Sequence, residues 1–185
     1  MVLTLVYLLA VGLLLCFLIF LSFFLLFLTY SWLSGAPFVP TKQKNIEELL
    51  AKAQIKKGAY MLELGCGDGR VLKTAAKLYG VRGLGIDVNH LLVIFARLTT
   101  ANQYKKTLHF EQKNILDADL SQADYIYIFL FPELVDKIKD KLLNETKKGC
   151  IIISHGFRIP FLSNMQIGTL KKKPFTTYYY KISRK

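Results

Sequence analysis

The sequence predicts an α/β fold: a mostly parallel sheet that ends in an antiparallel hairpin, preceded by one N-terminal transmembrane helix. Three observations predict it. Short apolar runs rich in β-branched and aromatic residues alternate with helical patterns between residues 60 and 154, as parallel strands with crossover helices do. A glycine-rich turn, GCGDG at 65–69, directly follows the first of these runs. Residues 2–28 form an apolar stretch without a single charge.

That stretch, VLTLVYLLAVGLLLCFLIFLSFFLLFL, would make a helix on the order of 40 Å long, enough to cross a hydrocarbon core of about 30 Å with some tilt. A cleaved signal peptide would need a basic start and an apolar run of only about 7–15 residues. Tyr30 and Trp32 fit an interfacial aromatic belt. Every charge lies after residue 41, so the net +12 belongs to the C-terminal part. The positive-inside tendency then predicts a single-pass protein with that part in the cytoplasm, or on the matrix side if the membrane is organellar. The expected organisation is an anchor over 1–33, a connector and helix over 34–58 and one domain over 59–185.

Ser34-Gly-Ala-Pro-Phe-Val-Pro40 cannot continue the first helix. Thr41 is placed to cap a helix over 42–54, where Ile46, Leu49, Leu50 and Ala53 recur at helical spacing. A strand is predicted over Tyr60–Leu64, a helix over 71–78, a strand over 83–86 ending at Asp87, and a helix over 90–101. A third strand follows at 107–111. The continuous run YIYIFLF at 125–131 reads as a buried central strand, 133–143 as a helix and CIIIS at 150–154 as another buried strand. Gln166–Leu170 and 176–182 read as the closing hairpin. Cys16, Cys66 and Cys150 are scattered and odd in number, so no disulfide framework and no metal site is expected. His90, His109 and His155 are isolated, and each reads as a surface or core histidine.

The glycine turn holds the chemistry. A dinucleotide fingerprint needs a third glycine five positions after Gly65, where Arg70 stands, and no Gly-Lys-Ser/Thr follows for a phosphate loop. S-adenosylmethionine has no pyrophosphate. Its amino-acid end needs close backbone approach, which Gly65, Cys66, Gly67 and Gly69 allow. Glu63 can organise the loop or meet the ammonium. Asp87, at the end of the second strand, is the expected acceptor for the two ribose hydroxyls.

With these residues in place, the chain resembles the seven-stranded, Rossmann-like methyltransferases that use S-adenosylmethionine, over about residues 37–182. PFVPT at 37–41, a helix, Lys56-Lys57-Gly58 and ELGCGDGR at 63–70 resemble one branch. That branch comprises the membrane-anchored protein-lysine methyltransferases acting on the c-type ring protein of ATP synthase and on the adenine nucleotide translocase, with their prokaryotic relatives. The resemblance implies that Phe38, Val39, Pro40 and Thr41 fold near the cofactor. It also implies an adenine contact after the third strand, at Asn114, where the family often has an acid, or at Asp117 if the alignment slips.

No catalytic residue is indicated. In this fold the acceptor channel opens at the end of the fourth strand, here Phe129-Leu-Phe-Pro132, with Phe131 and Pro132 as its candidate lining. The amide-methylating motif Asn-Pro-Pro is missing there. Tyr178–Tyr180 could form a cation cage, although sheet packing explains them as well. The expected function is membrane-anchored methyl transfer to protein lysine. A lipid, quinone or other small apolar acceptor, or a non-catalytic cofactor-binding module, are the alternatives. The expected partners are the bilayer, through residues 2–28, and a protein substrate. Nucleic acid is disfavoured, because no ordered aromatic and basic arrangement accompanies the lysines.

Overall fold

The computed structural model of the chain describes residues 2–33 and 41–183, and for 27, 28 and 30–33 the backbone alone. The connector, with Phe38, Val39 and Pro40, and the side chains of Tyr30 and Trp32 lie outside the described residues. The chain divides into two units, Met1–Pro37 and Phe38–Lys185.

The first unit is one helix, α1 (Val2–Leu33). Its segment Val2–Leu26 is long and apolar enough to cross a membrane. The hydroxyls of Ser22 and Thr29 donate to the carbonyls of Leu18 and Leu25, so neither is left unsatisfied on an apolar helix.

The second unit opens with α2 (Gln43–Lys52) and then alternates: β1 (Tyr60–Leu64), α3 (Arg70–Tyr79), β2 (Arg82–Asp87), α4 (His90–Leu98), β3 (Leu108–Gln112), β4 (Tyr125–Ile128). Two short helices follow, α5 (Pro132–Lys137) and α6 (Lys139–Asn144), then β5 (Ile151–His155), β6 (Gln166–Leu170) and β7 (Thr177–Lys181). The strands form one seven-stranded sheet in the order β3-β2-β1-β4-β5-β7-β6. The first five are parallel; β7 runs antiparallel to both β5 and β6. The fold class therefore stands as the sequence predicts it.

Side chains alternate across the sheet. Met61, Tyr125, Tyr127, Ile153 and Tyr179 pack on one face in a cluster with Ile46, Leu49 and Leu50 of α2, Leu72 and Ala75 of α3, and Val93 and Ala96 of α4. Leu62, Leu64, Ile126, Ile128 and Ile152 are buried as well, but on the alternate positions. The hydroxyls of Tyr125 and Tyr179 donate to the carbonyls of Gln54 and Leu49 at 3.0 and 2.9 Å, which fastens α2 and its exit to the sheet. Tyr180 is fully buried and accepts from the Ile159 N–H at 2.8 Å. Tyr179 and Tyr180 are sheet packing, and no cage forms from them.

Four local expectations change. The N-cap of α2 is Lys42, without a side-chain bond, and not Thr41. The strand expected over 125–131 ends at Ile128 because Pro132 starts α5 and holds Phe131 extended, at φ −62° and ψ 149°. The helix expected over 133–143 breaks at buried Ile138, whose N–H bonds to Val135 O in a tightened turn. The helix expected to reach residue 101 ends at Leu98, where Thr99 and Thr100 turn their hydroxyls back onto Phe95 O and Ala96 O at 2.6 and 2.7 Å.

Leu50 is fully buried between α2 and the sheet. Leu50→Ala is expected to cost about 2–5 kcal/mol, as an unrelaxed core truncation does. The loss is read as a lower urea midpoint, at unchanged slope, in the near-ultraviolet circular dichroism of the tyrosines.

Candidate functional site

The site is built where β1 hands the chain to α3. Glycine at the N-cap of α3, Gly69, is left-handed at φ 72° and offers no side chain to the helix's free N–H groups. Two carboxylates serve instead. Asp68 Oδ1 accepts from the Arg70 N–H at 3.1 Å, and Glu63 Oε2, reaching from β1, accepts from the Leu72 N–H at 3.0 Å. Asp68 also pairs with the Arg70 guanidinium, at 2.6 Å to Nη2. Arg70 Nη1 in turn donates to Thr41 O at 3.1 Å, so the residue that ends PFVPT lies against the glycine loop.

The loop itself hangs from β2. The N–H groups of Gly65 and Cys66 both donate to Ile86 O at 2.9 Å. Asp87 then divides its carboxylate: Oδ2 accepts from Gly67 N–H and Oδ1 from Asn89 N–H, each at 2.8 Å. Asn89 caps α4, its Oδ1 accepting from Leu91 and Leu92 N–H at 3.1 and 3.2 Å. Gly65 needs to be glycine twice over. Its φ is +74°, and an added Cβ would lie 2.7 Å from Leu130 Cδ2. Gly69 is similarly closed in by the Phe110 ring.

Glu63, Asp68 and Asp87 thus surround one loop. Glu63 is almost fully buried, and burial pushes its pKa up to about 8; the Leu72 N–H pulls it back in part, and the other two acids raise it further. Beside it in register on β4 stands Tyr127. Its hydroxyl is buried and makes no hydrogen bond of proper geometry among the described residues. Burial raises its pKa first and Glu63 adds to this, with the Thr41 hydroxyl acting the other way. Cys66 is buried, and burial pushes its thiol well above the ordinary range.

Asn114 stands one residue beyond Lys113, whose N–H donates to Asp87 O at 3.0 Å. Its side chain accepts from the Leu116 N–H at 3.0 Å and caps a short 3-10 turn, Ile115–Asp117. At the end of β4, Phe131 is 40% exposed and its ring lies 5.7 Å from that of Phe157; Pro132 opens α5. Phe129 packs edge-on to His155 at 4.7 Å and to Phe175 at 5.1 Å. His155 is buried, its Nδ1 lies 2.8 Å from Thr177 Oγ1, and burial lowers its pKa to about 4. No metal-holding group of three His, Cys, Asp or Glu occurs among the described residues.

Sequence reasoning passed over Asp68, Arg70 and Asn89. The first two sit inside the quoted motif as an acid and a base two apart. Asn89 is a plain N-cap signal before HLLVIFARL. The aromatic surroundings of His155 carried no signal, because its ring neighbours Tyr127 and Phe129 and its neighbour Phe175 come from two segments distant in sequence.

A helix N-terminus normally attracts an anion such as a pyrophosphate. In this chain the side chains of Asp68 and Glu63 already fill that place, and Asp87 stands beside it. The site fits a ligand that brings cations to the glycine loop and hydroxyls to Asp87. S-adenosylmethionine carries both an ammonium and a sulfonium, with a ribose. Sheet order and site together define an S-adenosylmethionine-dependent methyltransferase. The profile described as the ANTKMT methyltransferase domain matches residues 63–166, and the chain belongs to that family. A protein-lysine N-methyltransferase of Saccharolobus islandicus is 31% identical over 134 residues, which covers 70% of this chain and 81% of that protein. The adenine nucleotide translocase lysine N-methyltransferase of Mus musculus is 29% identical over 126 residues, 67% of this chain but 54% of its own length. Among solved structures, an RNA methyltransferase from Salinibacter ruber in complex with S-adenosyl-L-homocysteine superposes with a TM-score of 0.74. It is 27% identical, and the match covers 80% of this chain and 95% of that one.

The burial of Glu63 makes a signed prediction. Between about pH 4.5 and about 8 the unfolded chain releases this proton while the folded chain keeps it. The contribution of Glu63 to stability therefore falls as pH rises through that window. Glu63→Gln keeps an acceptor for Leu72 N–H and removes this contribution. Its stability relative to wild type is expected to grow from about pH 5 to about pH 8, by on the order of 4 kcal/mol. Urea midpoints of the two proteins at both ends of the window check it.

Proposed function

We propose that this chain is a membrane-anchored enzyme that transfers the methyl group of S-adenosylmethionine to a lysine side chain of a protein in, or next to, the membrane. The observation that carries this is the ring of three acids on the glycine loop, Glu63, Asp68 and Asp87, joined to membership of a family that includes protein-lysine methyltransferases.

When bound, S-adenosylmethionine supplies an electrophilic methyl group to an in-line nucleophile. The protein's part is to hold and to dry. The backbone of Gly65, Cys66, Gly67 and Gly69 seats the amino-acid end. Asp87 has lone pairs left after its two N–H bonds, and these take the ribose hydroxyls. Asn114 meets the adenine with its amide. Glu63 works from below, by closing the start of α3. Thr41 braces the loop through its carbonyl and Arg70. An acceptor lysine must lose its proton, which costs roughly 4–5 kcal/mol at pH 7 from an ordinary pKa. A desolvated approach lowers that cost. Phe131 and Pro132, with the Phe157 ring beside Phe131, supply apolar walls at the end of β4.

In this reading α1 is the anchor over 1–33, 34–58 links it to the domain over 59–185, and the basic domain lies on the cytoplasmic or matrix side. The uncharged length of Val2–Leu26 and the position of every charge after residue 41 support it.

Full-length protein in lipid nanodiscs, given methyl-deuterated S-adenosylmethionine and membranes, tests the proposal. Mass spectrometry is expected to find the label on lysine Nε of a membrane protein. Label confined to the lipid extract would replace lysine by a small apolar acceptor. Binding of the cofactor without any labelled product would leave a non-catalytic module.

A further inference from the structure

Helix α4 buries Val93 and Ala96 against the sheet and turns a second apolar stripe outward. Leu91, Ile94, Phe95 and Leu98 follow the spacing i, i+3, i+4, i+7 and are 62%, 36%, 52% and 76% exposed. Single exposed apolar residues are ordinary on a soluble surface; four in one stripe on a nine-residue helix are not. The stripe is flanked by cations. Arg97 lies on α4 itself, Lys73 reaches the helix end with Nζ 2.6 Å from Thr99 Oγ1, and exposed Lys105 and Lys106 follow the helix after one short turn. An apolar helix face bordered by basic residues is the chemistry of a helix lying in a lipid interface. The same chain carries an uncharged helix long and apolar enough to cross a membrane.

We infer that α4 is a membrane-docking helix: its face Leu91, Ile94, Phe95 and Leu98 lies in the lipid interface and its basic neighbours meet anionic headgroups. This rests on the reading of α1 as an anchor. It deepens the proposed function, because Asp87 and the cap Asn89 immediately precede this helix. Docking by α4 sets the cofactor end of the sheet at the bilayer surface and favours acceptor lysines at the headgroup level over those of freely soluble proteins.

The test uses the full chain with Cys16→Ser, which leaves only the buried thiols of Cys66 and Cys150. A nitroxide is placed, one position at a time, at residues 95, 98, 13 and 140. The protein is reconstituted in phosphatidylcholine vesicles containing phosphatidylserine. Accessibility to oxygen and to a water-soluble nickel chelate gives the depth of each label. Labels at 95 and 98 are expected about 5–10 Å below the headgroups. The label at 13 is expected in the hydrocarbon and that at 140 in water. A label at 13 in the bilayer with 95 and 98 in water would overturn the docking and leave the anchor standing. A label at 13 in water would overturn both. Labels at 95 and 98 shielded from both reagents would mean that protein covers the stripe, a second copy or another segment, and would also overturn the docking.

Discussion

The site depends on how one carboxylate is shared. Asp87 accepts Gly67 N–H with one oxygen and Asn89 N–H with the other. The first bond fixes the crest of the glycine loop. The second fixes the start of α4, which Asn89 then caps. A loop with three left-handed glycines has many conformations to lose, and charge-assisted bonds of about 1.5–3 kcal/mol each are what hold it in one. Because the acceptor is a carboxylate with lone pairs to spare, the group that holds the loop also presents a surface for hydroxyls. In the proposed function, loop geometry and ribose recognition are thus one interaction.

A second constraint follows from the first. Glycine at the start of α3 lets the backbone turn but leaves the helix uncapped, so Glu63 and Asp68 must close it from outside. Asp68 meets this by pairing with Arg70 near solvent. Glu63 does it inside the core, against a desolvation penalty that drives its pKa up to about 8. That penalty keeps Glu63 protonated at neutral pH, and it accepts the Leu72 N–H as a neutral acid. Asp68 and Asp87 beside the loop favour a cationic group there over an anionic one such as a pyrophosphate. The RNA methyltransferase from Salinibacter ruber shares the fold, and that likeness does not settle the acceptor.

Much of this was legible in the sequence because it is local. Strand runs such as YMLEL and CIIIS, the ELGCGDGR motif and the terminal Asp87 each carry their physics in adjacent residues. Helix and strand ends were less legible. Pro132 withdraws Phe129, Leu130 and Phe131 from β4, and threonine hydroxyls end α4 early, effects that hydrophobic periodicity does not register. Least legible were partnerships across the chain. Arg70 with Thr41, Glu63 beside Tyr127, and His155 among Phe129 and Phe175 join segments that only the sheet order brings together. The exposed stripe of α4 was legible as an apolar face, but only its exposure separates it from core.

The shared carboxylate is also the most direct point of test. Calorimetric titration of S-adenosylmethionine into the full-length protein and into Asp87→Ala, with a dinucleotide as control, isolates it. The account predicts binding by the wild type and none of the dinucleotide. In the variant it predicts a loss of about tenfold or more for each charge-assisted bond removed. Equal affinity in the folded variant, or preference for the dinucleotide, would contradict it.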